Sequence, residues 1–406
     1  MPVASPRPLS AFRRFPSSVF ASSVGQPALW LPFGVPGVYP SGSAMGRRGE
    51  VVTVTRATTA TYVGADGLIK TAAANELRVE SQGALIEPAR TNRIVRSNEL
   101  TNVAWTKRGA AVVTTDGTLA PDGVSLANKL AGINALGVDD VYQTATGFTA
   151  SATCGTSLWL KRISTTGVLR VLNTNTGTLI ASVDLGAAPD AFVRVTGTQP
   201  ASAGGVGGVM FHAQSGGPLS FYVAFVQQEE GSYATSYIPT TTAAATRNAD
   251  VVSVANPLTA ADTTWSVEGV FTPESGRAWG ISGITHRLWG FGSGSGANTA
   301  QGYVISETLV SPLVTDAAAA QLFTTKTSIN ALLASGTTHR ISGASANGTL
   351  TVLVNGSVPA GAGLSGVGSG VISAMPATLY IGTTSAPGSE FGGNIRDFKV
   401  WRRAAR

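Results

Sequence analysis

Short runs of β-branched and aromatic residues, punctuated by glycine-rich turns, recur from residue 51 onward, and this rhythm limits the fold more than any other feature. Val51-Val-Thr-Val-Thr-Arg-Ala-Thr-Thr-Ala-Thr-Tyr62 and Val63-Gly-Ala-Asp-Gly-Leu-Ile-Lys70 set β-branched runs around a Gly-Ala-Asp-Gly turn, the chemistry of a hairpin. In Asn394-Ile-Arg-Asp-Phe-Lys-Val-Trp401, Ile395, Asp397, Lys399 and Trp401 alternate with Arg396, Phe398 and Val400, as on a strand with two unlike faces. Within 219–227, Phe221, Val223 and Phe225 share one face and Tyr222, Ala224 and Val226 the other, which predicts a strand covered on both sides. Long solvated helices need Glu, Lys and Arg on their outer faces, yet charged residues are only 12% of the chain while Gly supplies 49 of 406 residues. The chain reads as all-β, and its length suits two or three domains, each with its own core.

The net charge of +6 raises nucleic acid as a partner. Arg7, Arg13, Arg14, Arg47 and Arg48 supply five of those charges before any acidic residue occurs, so the rest of the chain carries 6 − 5 = +1. No basic stripe with interleaved aromatics follows, so no nucleic-acid groove is expected. Cys154 is the single cysteine, so there is no intramolecular disulfide and no zinc cluster; it reads as a buried thiol on a strand. Pro16 and four serines interrupt the stretch after Arg13-Arg14 where a secretion signal would need apolar continuity, and no apolar run is long enough to span a membrane.

Residues 1–48 hold Pro2, Pro6, Pro8 and further prolines, which forbid regular helix and favour an extended arm. Trp30, Phe33 and Tyr39 are too apolar for a solvated linker. The reading is an attachment arm that buries these rings on another subunit, with Arg13 and Arg14 helping to anchor it; a cap over the chain's own first domain is the alternative.

Two segments about 150 residues apart bear a resemblance: Gly83-Ala-Leu-Ile-Glu-Pro-Ala-Arg-Thr-Asn92 and Ala234-Thr-Ser-Tyr-Ile-Pro-Thr-Thr-Thr-Ala-Ala-Ala-Thr-Arg-Asn-Ala-Asp250. They resemble the opening and the closing of a β-sandwich module of tailed-phage and prophage fibre, spike and appendage proteins. The run Ala60–Arg78 resembles the leader that precedes this module, with Leu77 where that leader usually has proline. Asn102-Val-Ala-Trp-Thr-Lys107 and Ala120-Pro-Asp-Gly123 continue the likeness, which implies a jelly roll of the carbohydrate-binding kind. Further on, Trp265-Ser-Val-Glu-Gly-Val-Phe271, Gly348-Thr-Leu-Thr-Val-Leu-Val-Asn-Gly356 and the closing Phe391–Ala404 segment resemble the laminin-G and pentraxin-like group of concanavalin A-type lectin sandwiches. The expected architecture is therefore two successive β-sandwich (jelly-roll) domains, 49–253 and 256–406, preceded by an extended Pro-rich N-terminal arm, 1–48.

No His-Glu-x-x-His, Gly-x-Ser-x-Gly or phosphate-loop motif occurs. Glycoside cleavage needs two carboxylates flanking the bond, and Asp139-Asp140, Glu229-Glu230 and Glu268 with Glu274 are the visible pairs. The Glu-x-Asp-x-x-Glu pattern of glucanase relatives is absent. His339 reads as a packed or edge histidine. A sugar surface needs exposed flat rings with polar neighbours, and Trp279, His286, Arg287 and Trp289 are its best local candidates, against a reading of Trp289 as core. The resemblance implies a non-enzymatic virion protein without metal or cofactor. It would be joined to other virion proteins by its arm and, as a homo-oligomer and by family habit a trimer, would touch host cell-surface polysaccharide. A purely architectural component and a depolymerase are the alternatives.

Overall fold

In a computed structural model of the chain, the structure describes residues 26–134, 138–274, 279, 285–292, 300–305, 308–315, 321–328, 337–346, 349–357, 363–365, 375–385, 388 and 390–402. The regular elements among them are strands, paired antiparallel, with no helix. The all-β, two-sandwich class holds. The expected boundaries do not follow the strand pairing.

Residues 26–86 pair with the C-terminal half of the chain. Leu29–Leu31 lies along Gly393–Trp401 in the register Leu29↔Val400 and Leu31↔Phe398. The same strand continues onto Gly83–Ile86 with Gly393↔Ile86 and Ile395↔Ala84. Its sheet runs Gly37–Pro40, Glu76–Glu80, Gly83–Ile86, Gly393–Trp401, Thr264–Pro273, His339–Ala346, Thr349–Val354. In the facing sheet, Val51–Thr55 pairs with Val251–Ala255, which pairs with Thr378–Ile381. Leu29, Leu31, Phe33, Val52, Val54, Leu77, Val79 and Ile86 share one buried core with Trp265, Phe271, Trp289, Phe291, Ile395 and Phe398. Gly83 permits a close approach of the two strands: its φ is +125°, and a Cβ there would sit 2.3 Å from the Ile395 carbonyl oxygen.

The module bounded by the two family-like segments is thus inserted into the second sandwich rather than placed before it. Arg90–Asn92 and Ala245–Arg247 form a short antiparallel pair that brings the ends of the insert together. Between them lie two five-stranded sheets. One runs Thr106–Lys107, Val141–Thr146, Val206–Ser215, Val168–Leu172, Leu179–Asp184. The other runs Val112–Thr114, Asn128–Ile133, Leu219–Glu230, Thr153–Arg162, Val193–Pro200. Their inner faces close on Trp105, Phe211 and Phe221, whose rings pack at centroid distances of 6.3 and 6.0 Å.

Strand Leu219–Glu230 is buried on both faces as its sequence predicts, but its alternation breaks. Pairing with Thr153–Arg162 slips between Ser157↔Gln227 and Trp159↔Ala224, and Phe225 takes the left-handed backbone conformation, φ +57°. This bulge returns Val226 to the face of Phe221 and Val223, while Phe225 leaves that core and packs with Tyr237.

The N-terminal segment is corrected likewise. Phe33 is buried in the chain's own core, and Tyr39 packs against its edge while its hydroxyl donates to the Val35 carbonyl at 2.9 Å. Trp30 donates from Nε1 to Asp397 Oδ1 at 2.8 Å, with the Arg47 guanidinium 3.5 Å and the Lys399 ammonium 4.7 Å from its ring centroid. Phe33 is thus part of the chain's own core, and Trp30 and Tyr39, both half-buried, pack on the chain's own fold. Antiparallel pairing with the last strand satisfies the segment's backbone, which an unpaired arm would leave to water or a partner.

Candidate functional site

The two family-like segments meet in a buried ionic network. Arg78 donates from Nη1 to Glu87 Oε2 at 2.7 Å and from Nη2 to Asp250 Oδ2 at 2.5 Å. Arg56 donates to Asp250 Oδ1 at 2.7 Å, and Arg247 donates to Glu87 Oε2 and, at 2.8 Å, to Ser236 Oγ. Ser236 donates back to Glu87 from its backbone nitrogen at 2.6 Å and its hydroxyl at 2.7 Å. Arg56, Arg78, Glu87, Arg247 and Asp250 are all at most 1% exposed. Burial alone would raise the Glu87 carboxyl, but Arg247 and Arg78 outweigh it and hold it well below the carboxylate range. Arg56, Arg78, Glu87, Arg247 and Asp250 thus fasten the insert to its host sandwich.

The candidate sugar residues do not make a platform either. Trp289 is 1% exposed and meets Trp265 and Phe291 edge-on at 5.9 and 5.7 Å. Trp279 is buried, donates from Nε1 to the Thr337 carbonyl at 3.0 Å, and packs edge-on against His339 at 5.4 Å. His286 and Arg287 are buried as well. A ring stacks on a pyranose only if a face is free, so these four residues belong to the core of the host sandwich. Arg13 and Arg14 lie outside the described residues.

The carboxylate pairs are also structural. Asp140 takes the Arg108 guanidinium in two bonds of 2.7 Å, and Asp139 accepts from the Ala110 nitrogen at 2.7 Å. Glu229 is buried and accepts from the Thr235 nitrogen and hydroxyl; burial raises its carboxyl above the ordinary range. Glu230 accepts from the Thr149 nitrogen. Glu268 receives Arg340, and Glu274 receives Arg194 at 3.1 Å. Among the described residues no group of three His, Cys, Asp or Glu is placed to hold a metal ion.

Among the described residues, a concave feature lies elsewhere, at the seam between the sandwiches. The hairpin of Ala60–Val63 and Ile69–Ala72 faces the Phe225 bulge across a cleft of about 470 Å³, and a second hollow of about 280 Å³ adjoins it. Thr61, Thr71, Tyr237 and Pro239 line both, and Thr61 Oγ1 donates to the Tyr237 carbonyl at 2.6 Å as a saddle between them. On the cleft side the Tyr237 ring stacks on Phe225 at 4.6 Å and 25°. Its hydroxyl shares a 2.6 Å bond with Ser97 Oγ, and burial drives the phenol well above its usual range.

Asn98 holds the bulge, accepting from the Phe225 nitrogen at 3.3 Å, and Asn128 steadies Asn98 by donating to its carbonyl at 3.2 Å. Asp122 closes the 122–125 turn with bonds from the Val124 and Ser125 nitrogens and the Ser125 hydroxyl. Glu99, paired with Arg96 at 2.8 Å, stands at the exposed side. A left-handed aromatic residue held by an asparagine is backbone strain at a concavity, where strain tends to gather for binding. The lining is mainly hydroxyl and amide groups around aliphatic and aromatic side chains, a mixture that can hydrogen-bond a polyhydroxylated ligand and cover its CH groups. No tryptophan is among the residues lining this cleft, so exposed indole faces do not point to it. The available signals were Tyr237 inside the closing segment and the threonines at 58–59 and 240–242.

No protein-family model matches the chain, and no curated protein does. Among solved structures it is similar to the enzymatically active domain of bacteriophage CBA120 tailspike protein 4, at 18% identity and a TM-score of 0.26, over 34% of this chain and 21% of that one. It is similar to the CBM22 tandem of Paenibacillus barcinonensis Xyn10C at 13% identity and a TM-score of 0.27, over 76% and 97% of the two chains. Domains LG4-5 of the mouse laminin α1 chain follow at 11% identity and a TM-score of 0.29, over 65% and 90%. Likeness at this level carries no argument about ligand or activity.

Proposed function

We propose that this chain is a non-enzymatic structural protein of a tailed phage or phage-like particle, a fibre or spike component that contacts host surface polysaccharide through the cleft at the sandwich seam. The observation that carries the polysaccharide reading is the cleft of about 470 Å³ with its hydroxyl and amide lining around the Phe225–Tyr237 stack. Its size suits a saccharide of a few units, within the range of about 300–1,000 Å³ usual for ligand sites. The virion setting rests on the resemblance of the segments at 83–92 and 234–250. With Trp30, Phe33 and Tyr39 committed to the fold, attachment to other virion proteins falls to Arg13, Arg14 and their neighbours. A homo-oligomer, a trimer by the same resemblance, completes the reading.

An array of bacterial surface polysaccharides probed with the protein and with Thr71→Arg tests the binding role. Thr71 is exposed and lines both hollows, so the longer side chain obstructs them without disturbing a core. Binding that the variant loses supports the reading. An array without any bound glycan, or binding indifferent to the variant, contradicts it, and release of reducing ends would replace it with a depolymerase.

One observation favours a second, architectural reading. Val103 and Val124 project from loops of the inserted sandwich at 96% and 82% exposure, with Leu119 about half exposed, and apolar groups so placed suit contact with a neighbouring protein. On that reading the particle keeps the protein and no glycan is bound.

A further inference from the structure

Resting on the polysaccharide reading, we infer that the cleft accepts uncharged polysaccharide and excludes acidic chains, those bearing uronate, sialate or phosphate. The charge of its lining decides this. Among the described residues, Glu99 and Asp122 are the charged side chains that line the larger cleft, and both are anionic. Arg96, which pairs with Glu99, is not a lining residue. Recognition of a sugar carboxylate calls for a guanidinium or ammonium within hydrogen-bonding reach, preferably a two-pronged guanidinium. In the smaller hollow the only cation is Arg247, which is 1% exposed, with Nη1 held by Glu87 and Ser236 and Nη2 donating to the Pro88 carbonyl at 2.5 Å. It is bound within the ionic network and shielded from a ligand.

An acidic residue on the polysaccharide therefore meets the Asp122 carboxylate and Glu99, whose charge Arg96 offsets from outside the cleft, and finds no cation among the described lining residues to receive it. A neutral sugar meets no such penalty. Thr61 and Thr71 line both hollows across the saddle, so the ligand is an internal stretch of chain lying over it rather than a single terminal unit. Threonine hydroxyls both donate and accept, which matches the hydroxyls of a neutral pyranose without a fixed charge.

Matched probes separate charge from shape. Uronate-bearing bacterial polysaccharides are presented in native form and after reduction of their carboxyl groups to alcohols, beside neutral polysaccharides. The expected result is binding of neutral or reduced chains, with native acidic partners weaker by roughly tenfold or more. Glu99→Lys, a change at an exposed position, narrows that gap, as does raising the salt. Native acidic chains bound as tightly as their reduced partners, or more tightly, would overturn this inference while leaving the polysaccharide reading in place. Binding of no polysaccharide of either kind would overturn both.

Discussion

Arg78 and Asp250 are 172 residues apart in sequence and joined by a buried 2.5 Å ion pair, which ties the strand before the insert to the strand after it. Asp250 also takes Arg56 and the Glu87 backbone nitrogen, so one carboxylate answers three segments at the point where the chain leaves and re-enters the host sandwich. Buried charges of this kind are costly unless every partner is present. The network therefore makes the placement of the insert depend on the host fold.

Asp250→Ala leaves the Arg56 and Arg78 guanidinium groups buried and facing each other. We expect a loss of about 3–5 kcal/mol in chemical denaturation, the usual cost of removing one partner from a buried pair. A loss below about 1 kcal/mol would mean that water reaches the network and that it does not fasten the insert.

Glu274 gives the fold a pH dependence of defined sign. Burial and then the nearby Glu87 charge push its carboxyl up to about 7 from an ordinary 4.5, against the pull of Arg194. The folded chain holds this proton more tightly than the unfolded chain. Its contribution is complete below pH 4.5, declines as pH rises toward 7, and is constant above, by at most about 3 kcal/mol. Glu274→Gln should flatten the melting temperature between those pH values and raise it at pH 8. Superimposable pH profiles for the two proteins would show that Glu274 titrates normally.

Leu31 belongs to a segment whose prolines suggest an arm, yet it is fully buried opposite Phe398. Leu31→Ala in the isolated protein should cost about 2–5 kcal/mol, as for other large-to-small changes in a packed core. Unchanged stability would place the segment off the sandwich in solution.

Cys154 is buried, and burial followed by the Glu230 charge pushes its thiol up to about 11. Alkylation by iodoacetamide at pH 8 should be undetectable until the protein unfolds. Rapid labelling of the native protein would show that the strand Thr153–Arg162 opens locally.

Much of the class was legible in sequence because strand alternation is a local signal. The buried strand around Phe221 follows from its continuous apolar run. Gly393–Trp401 is a strand as expected, but its alternation breaks at a bulge where Asp397 takes φ +52°, which brings Ile395 into the same core as Phe398 and Val400. The nesting was not legible, since Leu29 finds Val400 and Glu80 finds Asn394 only across more than 300 residues. The roles of Glu87 and Arg247 were hidden for the same reason: each is an ordinary charged residue until the two segments meet. The cleft was hidden by the bulge at Phe225, because counting alternate residues assumes an unbroken ladder and Asn98, 127 residues away, is what holds the break.

The most direct test of the account is a structure of the protein with a neutral oligosaccharide selected on the polysaccharide array. Sugar density is expected across the saddle of Thr61 and Tyr237, reaching into both hollows. Density confined to another surface, with the saddle empty, would contradict it.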